Sequence, residues 1–152
     1  MDAVTYPNPD VAEVLNERTV AVQVNTAEPD PSTRQLMREF RQVWTPTMVW
    51  LDHHGIEVRR EIGYLEPRHF VAVIRLAEGQ AHLLHADFAN ALAAFDAVGE
   101  GGHPHAAPEA LYWAGVAALR QGQRDQFISR WQTLKARYPD STWWSRASFI
   151  DT

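Results

Sequence analysis

Cysteine does not occur among the 152 residues of the chain. The thiolate of cysteine is the nucleophile of thiol enzymes and a frequent metal ligand. Its absence excludes disulfides, thiolate catalysis, cysteine-ligated zinc and iron–sulfur clusters from these residues. The chain as given therefore cannot perform thiol–disulfide exchange.

Histidine is the other residue type here that often binds metal ions. Three close pairs occur, His53/His54, His82/His85 and His103/His105. Histidines three apart on a helix share a face and are able to ligate one ion, yet no aspartate or glutamate stands at a matching spacing. We therefore predict solvated or capping histidines, with no metal site and no cofactor.

Motifs of other enzyme classes are also missing from the sequence. The glycines at 99, 101 and 102 follow no predicted strand and precede no Lys-Ser/Thr, so they do not form a phosphate-binding loop. No Gly-x-Ser-x-Gly elbow and no distinctively spaced carboxylate pair is present. We therefore name no catalytic residue.

Composition and charge indicate a globular protein that binds neither nucleic acid nor membranes. The net charge is −5, and Arg59-Arg60 is the only adjacent basic pair, whereas nucleic acid and anionic lipid favour basic surfaces. No apolar stretch reaches the roughly 18 residues that span a bilayer. The first residues also lack the features of a signal peptide, so we predict a cytoplasmic protein.

Two helices of the first half begin with the same signal, a capping side chain followed by proline at the first helical position. The signal occurs at Asn8-Pro9 and at Asp30-Pro31. A third helix begins at Pro67 and extends to about residue 86. Apolar residues at helical spacing support these helices; in the second helix they are Leu36, Phe40 and Val43.

Three segments of the first half carry strand patterns. Thr19–Asn25 places its valines on one face and predicts a half-buried strand. Thr47–Leu51 predicts a second strand, and Ile56–Tyr64 predicts its partner in a hairpin. The first half is therefore predicted to be an α/β arrangement with a hairpin at one edge.

The second half shows no strand pattern, and three apolar stripes predict helices. Gly99–Pro108 is rich in glycine and proline and predicts the loop between the first two helices. The stripes are Phe88, Ala91, Phe95 and Val98; Leu111, Ala114, Ala118 and Leu119; and Phe127, Trp131, Leu134 and Tyr138.

The helical half also repeats itself. A shift of 36 residues places Gly79 on Gly115 and Phe95 on Trp131. Small residues then stand where two helices must approach closely, and aromatic residues stand where a side chain of one helix packs into the neighbouring helix. The same shift places Leu83 on Leu119, Ala86 on Gly122, Ala91 on Phe127 and Val98 on Leu134.

The repeat resembles the tetratricopeptide family, whose period is about 34 residues. Residues Glu109 to Pro139 look like one unit, with Gly115 in its first helix and Trp131 in its second. Phe127 departs from the family, which prefers a small residue there, so the resemblance implies looser packing of these helices.

The last residues, from Trp143 to Ile150, resemble the start of the capping helix that closes such repeats. Trp143 and Trp144 are adjacent, so both cannot face the same helix contact. We predict that this pair contributes to a partner-binding surface, because exposed aromatic residues are frequent at interfaces.

The first half resembles the thioredoxin-like superfamily up to about Leu84. The resemblance rests on Val43 to Thr47, on the following strand, on Gly55 in the hairpin turn and on Gly63-Tyr64 before the last helix. The first sixteen residues also look like the helix that carries Cys-x-x-Cys at its N-terminus in that superfamily.

This resemblance implies a binding loop but no reactive group. In the family the proline that matches Pro46 is cis, and the preceding residue, here Thr45, presents its backbone to substrate. Trp44 stands beside this loop and is expected either to pack against the fold or to line the adjacent groove and contact a ligand. No family residue other than Thr45 and Pro46 carries over, since the redox motif would precede Met1.

The missing segment includes the central strand of the family's sheet, which lies between the strands matching Thr19–Asn25 and Thr47–Leu51. Both strands would present unpaired edges, and a buried unsatisfied backbone group costs about 1–3 kcal/mol. The two strands would pair directly, accept a strand from a partner, or associate between copies. We predict that the isolated chain self-associates or is marginally stable.

The predicted fold is an incomplete α/β thioredoxin-like part at residues 1–86 followed by tetratricopeptide-like helices at 87–152, with helix 67–86 shared. The first functional hypothesis is a redox-inactive module that binds a protein or a peptide. The alternative is the C-terminal portion of a thiol–disulfide oxidoreductase whose Cys-x-x-Cys lies upstream of this chain. An in-frame upstream Cys-x-x-Cys would distinguish the two.

Overall fold

The computed structural model of the protein describes residues 1–151. These residues form seven α-helices, one 3-10 helix and one two-stranded sheet, and none of these helices is long and apolar enough to cross a membrane. The helices are α1 (Pro9–Arg18), α2 (Pro31–Glu39), α3 (Pro67–Leu84), α4 (Phe88–Gly101), α5 (Ala107–Arg120), α6 (Arg124–Arg137), α7 (Thr142–Ala147) and the 3-10 helix Ser148–Asp151; the strands are β1 (Thr47–Leu51) and β2 (Glu57–Ile62).

The chain divides into two compact units. The N-terminal unit is Met1–Val71, and the C-terminal unit begins at Ala72. The boundary falls inside α3, so one continuous helix belongs to both units.

The first two helices begin where their capping signals predict. The Asn8 side chain accepts hydrogen bonds from the backbone N–H groups of Asp10 and Val11. The Asp30 carboxylate accepts from the N–H of Thr33 at 2.7 Å, and this bond lowers the pKa of Asp30. Each cap satisfies N–H groups that have no partner inside the helix, so both predicted starts are confirmed.

The core of the N-terminal unit is small. Val11, Val14 and Leu65 are buried, and Thr5 lies among them with its hydroxyl donating to the Leu65 carbonyl at 2.7 Å. The Phe70 ring at the start of α3 contacts the rings of Tyr6 and Trp50, with centroids 5.8 and 6.2 Å apart. These contacts join the residues before α1, strand β1 and the start of α3.

The predicted hairpin is confirmed, although its second strand covers Glu57–Ile62 and not the whole of Ile56–Tyr64. β1 and β2 pair antiparallel, with Thr47 opposite Ile62 and Val49 opposite Arg60, and the register shifts after Trp50. Gly55 sits in the turn with φ = 79°, a left-handed conformation that glycine adopts without steric cost.

The prediction of a strand at Thr19–Asn25 is wrong. These residues form no regular secondary structure, and Val20 and Val22 are 95% and 79% exposed. Within the described residues, β1 pairs only with β2. The local alternation is real, but a strand exists only when a neighbouring strand accepts its backbone hydrogen bonds.

Helix α2 forms as predicted, but its apolar stripe is not buried. None of its residues is buried, Leu36 is exposed, and Val43 just beyond the helix is 73% exposed. The helical periodicity correctly predicted α2, but it wrongly implied that other parts of the protein bury the apolar face of this helix.

The C-terminal unit is a stack of antiparallel helices with two apolar clusters. The first cluster joins α3, α4 and α5, and the second joins α5, α6 and α7. The buried members of the first are Ala72, Leu76, Ala91, Phe95, Val98, Ala106, Ala110, Ala114 and Ala117, and those of the second are Leu111, Trp131, Leu134 and Ala147.

Two details of this unit differ from the sequence predictions. The predicted loop Gly99–Pro108 is shorter, because α4 continues to Gly101 and α5 already begins at Ala107. Gly99 is buried, and a Cβ there would lie 3.4 Å from the Leu111 side chain, so the helix packs closely at this glycine. Leu119, assigned to an apolar stripe, is 48% exposed.

The 36-residue repeat has a direct structural counterpart in helix packing. A Cβ atom at Gly79 would lie 2.5 Å from the Phe95 ring, and a Cβ at Gly115 would overlap the indole of Trp131. The Trp131 indole N–H also donates to the Tyr112 carbonyl at 3.0 Å. In both repeats, therefore, glycine on one helix provides the space that an aromatic ring on the next helix occupies.

The turns between paired helices repeat as well. Ala86 has φ = 59° and Gly122 has φ = 78°, and each lies two residues beyond its helix end. The N–H groups of Asp87 and Gln123 donate to carbonyls five residues earlier, each at 2.9 Å. Both helices thus end with a left-handed residue in the same hydrogen-bonding pattern.

We predict that Ala86→Gly stabilises the protein. An alanine in the left-handed conformation destabilises the folded state by about 1–2 kcal/mol. Glycine avoids this cost, but its greater flexibility stabilises the unfolded state by about 0.5–1 kcal/mol. The free energy of unfolding in denaturant should therefore rise by about 0.5–1 kcal/mol. Gly122→Ala is the matched control and should lower it by a similar amount, since no atom lies within 4 Å of its Cβ to add a clash. Equal effects of the two substitutions would contradict the assigned turns.

Gly79→Ala and Gly115→Ala should each destabilise the protein by about 1–3 kcal/mol, the usual cost of overpacking a core. The added methyl group would overlap the Phe95 or Trp131 ring. Gly101→Ala, in a helix but without a neighbour within 4 Å, should leave the melting temperature unchanged or raise it. Calorimetric melting of the three variants would test the packing, and a stable Gly79→Ala protein would contradict it.

Candidate functional site: the loop before β1 and the open sheet edge

The candidate site begins with the loop that connects α2 to β1. Gln42 holds this loop, because its side-chain amide donates to the Trp44 carbonyl at 2.9 Å and to the Thr45 hydroxyl at 3.1 Å. The Thr47 hydroxyl donates to the same Trp44 carbonyl at 2.6 Å. The loop is therefore fixed by side chains of its own sequence.

The peptide bond between Thr45 and Pro46 is cis, as the resemblance implied. The Pro46 carbonyl accepts a hydrogen bond from the Gly63 N–H at 2.8 Å, which attaches the loop to the end of β2. Thr45 is exposed, and its hydroxyl lies 3.4 Å from that of Thr26. The Trp44 indole is 68% exposed. The loop thus presents Trp44 and Thr45 to solvent on a fixed backbone.

A depression of about 390 Å³ lies between α2 and this loop. Arg34, Met37, Arg38, Arg41, Gln42 and Val43 line it. Three guanidinium groups lie beside the exposed Val43 and the half-buried Met37, and that of Arg41 lies 3.9 Å from the Glu57 carboxylate. Such a surface suits an acidic, partly apolar ligand.

The sheet edge beside the loop is open. The Pro46 carbonyl accepts a hydrogen bond from the Gly63 N–H, so by the alternation of an antiparallel ladder Met48 and Trp50 bond to β2. The N–H and C=O groups of Thr47 and Val49 therefore point away from β2. No other strand among residues 1–151 pairs with them.

The opposite edge of the sheet, on β2, carries charged side chains. Arg60 donates to both carboxylate oxygens of Glu57, at 2.8 and 2.6 Å. These bonds lower the pKa of Glu57. Arg59 pairs with Glu61 at 2.7 Å. Charged side chains protect an exposed edge from pairing with other strands.

Trp143 and Trp144 lie far along the chain from this loop, in the C-terminal unit. Both are half-buried and pack against the second apolar cluster. The Arg146 guanidinium lies 4.5 Å from the Trp143 ring, and the Lys135 ammonium lies 5.4 Å from the Trp144 ring. Their role as a partner surface stays a prediction.

The histidines show local contacts. The rings of His53 and His54 lie 3.9 Å apart in the hairpin turn, and those of His103 and His105 lie 5.8 Å apart. His82 contacts the Asp87 carboxylate at 3.0 Å.

Sequence reasoning missed two parts of this site. Gln42 carried no motif, and its role in holding the loop follows only from the folded backbone. The family resemblance implied an unpaired edge on this strand, but it did not show that the backbone groups of Thr47 and Val49 form that edge, because alternation of side chains identifies the faces of a strand and not its edges.

Comparison with known families identifies the N-terminal half. The family model described as a thioredoxin-like domain matches residues 1–78, which is half of the chain. Comparison with curated proteins and with solved structures found no match.

Proposed function

Because the chain belongs to the thioredoxin-like domain family over residues 1–78, we propose that it is a redox-inactive member that binds a peptide or a protein segment. The binding site is the loop Trp44-Thr45-Pro46 together with the depression beside α2. The observation that carries the proposal is the exposed Trp44 indole on a loop held by Gln42 and Thr47.

Rigidity and exposure together support binding at this loop. A tryptophan that is 68% exposed offers a large apolar area with few rotatable bonds, and such residues often dominate binding energy. Because the loop backbone is already held by hydrogen bonds, less conformational entropy is lost when a ligand binds. The family resemblance assigns substrate contact to the Thr45 backbone.

The arginines of the depression support a preference for acidic ligands. Arg34, Arg38 and Arg41 lie along one side of α2 and its end, next to Val43. Guanidinium groups bind carboxylates with two parallel hydrogen bonds. The favoured ligand therefore combines an apolar residue for Trp44 with a nearby aspartate or glutamate.

The C-terminal unit serves the same proposal as a second interaction module. The repeated glycine–aromatic contact of Gly79 with Phe95 and Gly115 with Trp131 supports a tetratricopeptide-like unit. Such units stack into surfaces that bind protein segments. The cytoplasmic location stays a prediction from the sequence.

The open edge of β1 motivates a second candidate function. Val20 and Val22 are exposed and the outward edge of β1 is open, which suits a sheet that lacks a central strand. On this hypothesis the residues are the C-terminal portion of a thiol–disulfide oxidoreductase whose Cys-x-x-Cys lies upstream.

The peptide-binding proposal predicts that Trp44→Ala weakens ligand binding at least tenfold, or about 1.4 kcal/mol. Ligands would be selected from a random peptide library on the full chain, and affinities measured by fluorescence anisotropy. Phe149→Ala is the matched control, because Phe149 is also exposed, at 65%, but lies in the other unit. The peptide affinity of this variant should stay within twofold of that of the unchanged protein. Higher salt should also weaken binding, since the arginine contacts are screened. Selected peptides that bind Trp44→Ala normally would contradict the proposal.

The two candidate functions predict different masses for the protein made from its own locus. A mass of about 17.3 kDa supports the redox-inactive protein, and the pure 152-residue chain should then reduce insulin no faster than buffer. A larger mass with an N-terminal extension containing two cysteines supports the oxidoreductase. Insulin reduction by the cysteine-free chain itself would contradict both assignments.

A further inference from the structure

We infer that two copies of this chain associate through β1, by antiparallel pairing of the two β1 strands about Val49. The product is a four-stranded sheet with the order β2-β1-β1-β2 across a two-fold axis. This inference does not depend on peptide binding at Trp44, because it uses the backbone edge of β1.

The two edges of the sheet differ in a way that points to β1. β2 carries four charged residues among its six, and Arg60 and Arg59 are paired with Glu57 and Glu61. β1, with the sequence Thr-Met-Val-Trp-Leu, carries neither a charge nor a proline. Charges, proline and bulges are the devices by which proteins keep exposed edges from pairing. β2 therefore has the character of an edge strand, and β1 has that of an interior strand.

The outward groups of β1 are complementary to a second copy of themselves. The N–H and C=O of Thr47 and Val49 point away from β2. Beyond the register shift the Asp52 N–H donates to the Ile56 carbonyl at 2.9 Å, so the backbone groups of Leu51 point outward as well. When two such strands run antiparallel with Val49 opposite Val49, each Thr47 stands opposite a Leu51. All outward donors then meet outward acceptors.

Charge and exposure also favour a second copy. Since β1 has no ionised side chain, self-pairing places no like charges opposite each other. Leu51 is 42% exposed in the single chain, and pairing covers it. The segment Thr19–Asn25 of the same chain does not occupy this edge, since it forms no ladder with β1.

The mass in solution tests the association directly. Sedimentation velocity over a range of concentrations should show a species of twice the 17.3 kDa of one chain. Val49→Pro removes the outward N–H while the bonds of Met48 and Trp50 to β2 remain, as proline is tolerated at a strand edge. It should raise the dimer dissociation constant at least tenfold. Ile62→Pro, the matched change at the outer edge of β2, should leave the dimer intact.

A crosslinking experiment locates the interface even if the proline variants do not fold. The natural chain has no cysteine, so Val49→Cys introduces a single thiol, which stands next to its counterpart at the two-fold axis. A short bis-maleimide should link Val49→Cys chains into covalent dimers and leave Ile62→Cys chains single.

A monomer at every concentration, or equal crosslinking of the two variants, would overturn the inference. A monomeric chain that still loses peptide affinity on Trp44→Ala would overturn the dimer alone. A dimer whose peptide affinity is unchanged by Trp44→Ala would overturn only the proposed peptide site.

Discussion

The N-terminal unit depends on one constraint, which is that the backbone groups of a strand alternate between two edges and both edges need partners. Among residues 1–151, β1 has a partner strand on one side only. The same unit has a small core, exposed valines at 20 and 22, and no buried residue in α2. The valine segment keeps its strand-like alternation, but a segment becomes a strand only when a neighbour accepts its backbone hydrogen bonds.

The C-terminal unit depends on a different interaction, the close approach of a glycine to an aromatic ring on the next helix. It occurs at Gly79 with Phe95 and at Gly115 with Trp131, and it sets how near the helix axes lie. The left-handed residues at 86 and 122 then reverse the chain in the same way in both repeats. This unit satisfies its hydrogen bonds within helices, so it does not share the problem of the open strand edge.

Local signals were predictable from the sequence because their causes are local. Asn8 and Asp30 cap helices through N–H groups two to three residues away, and the hairpin turn needs only a few residues with Gly55. The glycine–aromatic repeat was also predictable, because a shift of the sequence by 36 residues aligns Gly79 with Gly115 and Phe95 with Trp131. The errors concern long-range packing. Thr19–Asn25 has a strand pattern without a neighbouring strand, and Leu36 has a helical stripe without a cover.

Residue types and short-range patterns were enough to show that these residues carry no thiol, where α1, α2 and α3 begin, and that a hairpin forms around Gly55, because composition and local hydrogen bonding decide these features. The thioredoxin-like region was found by its resemblance to a family, whose model matches residues 1–78. The tertiary structure added that Gln42 holds the loop of Trp44 and Thr45, that the valine segment is exposed, and that the backbone groups of Thr47 and Val49 form the open edge of β1. The exposure of the valines and the groups at the open edge depend on which strands pair, and the bonds of Gln42 depend on the conformation of the loop, so local sequence patterns did not show them.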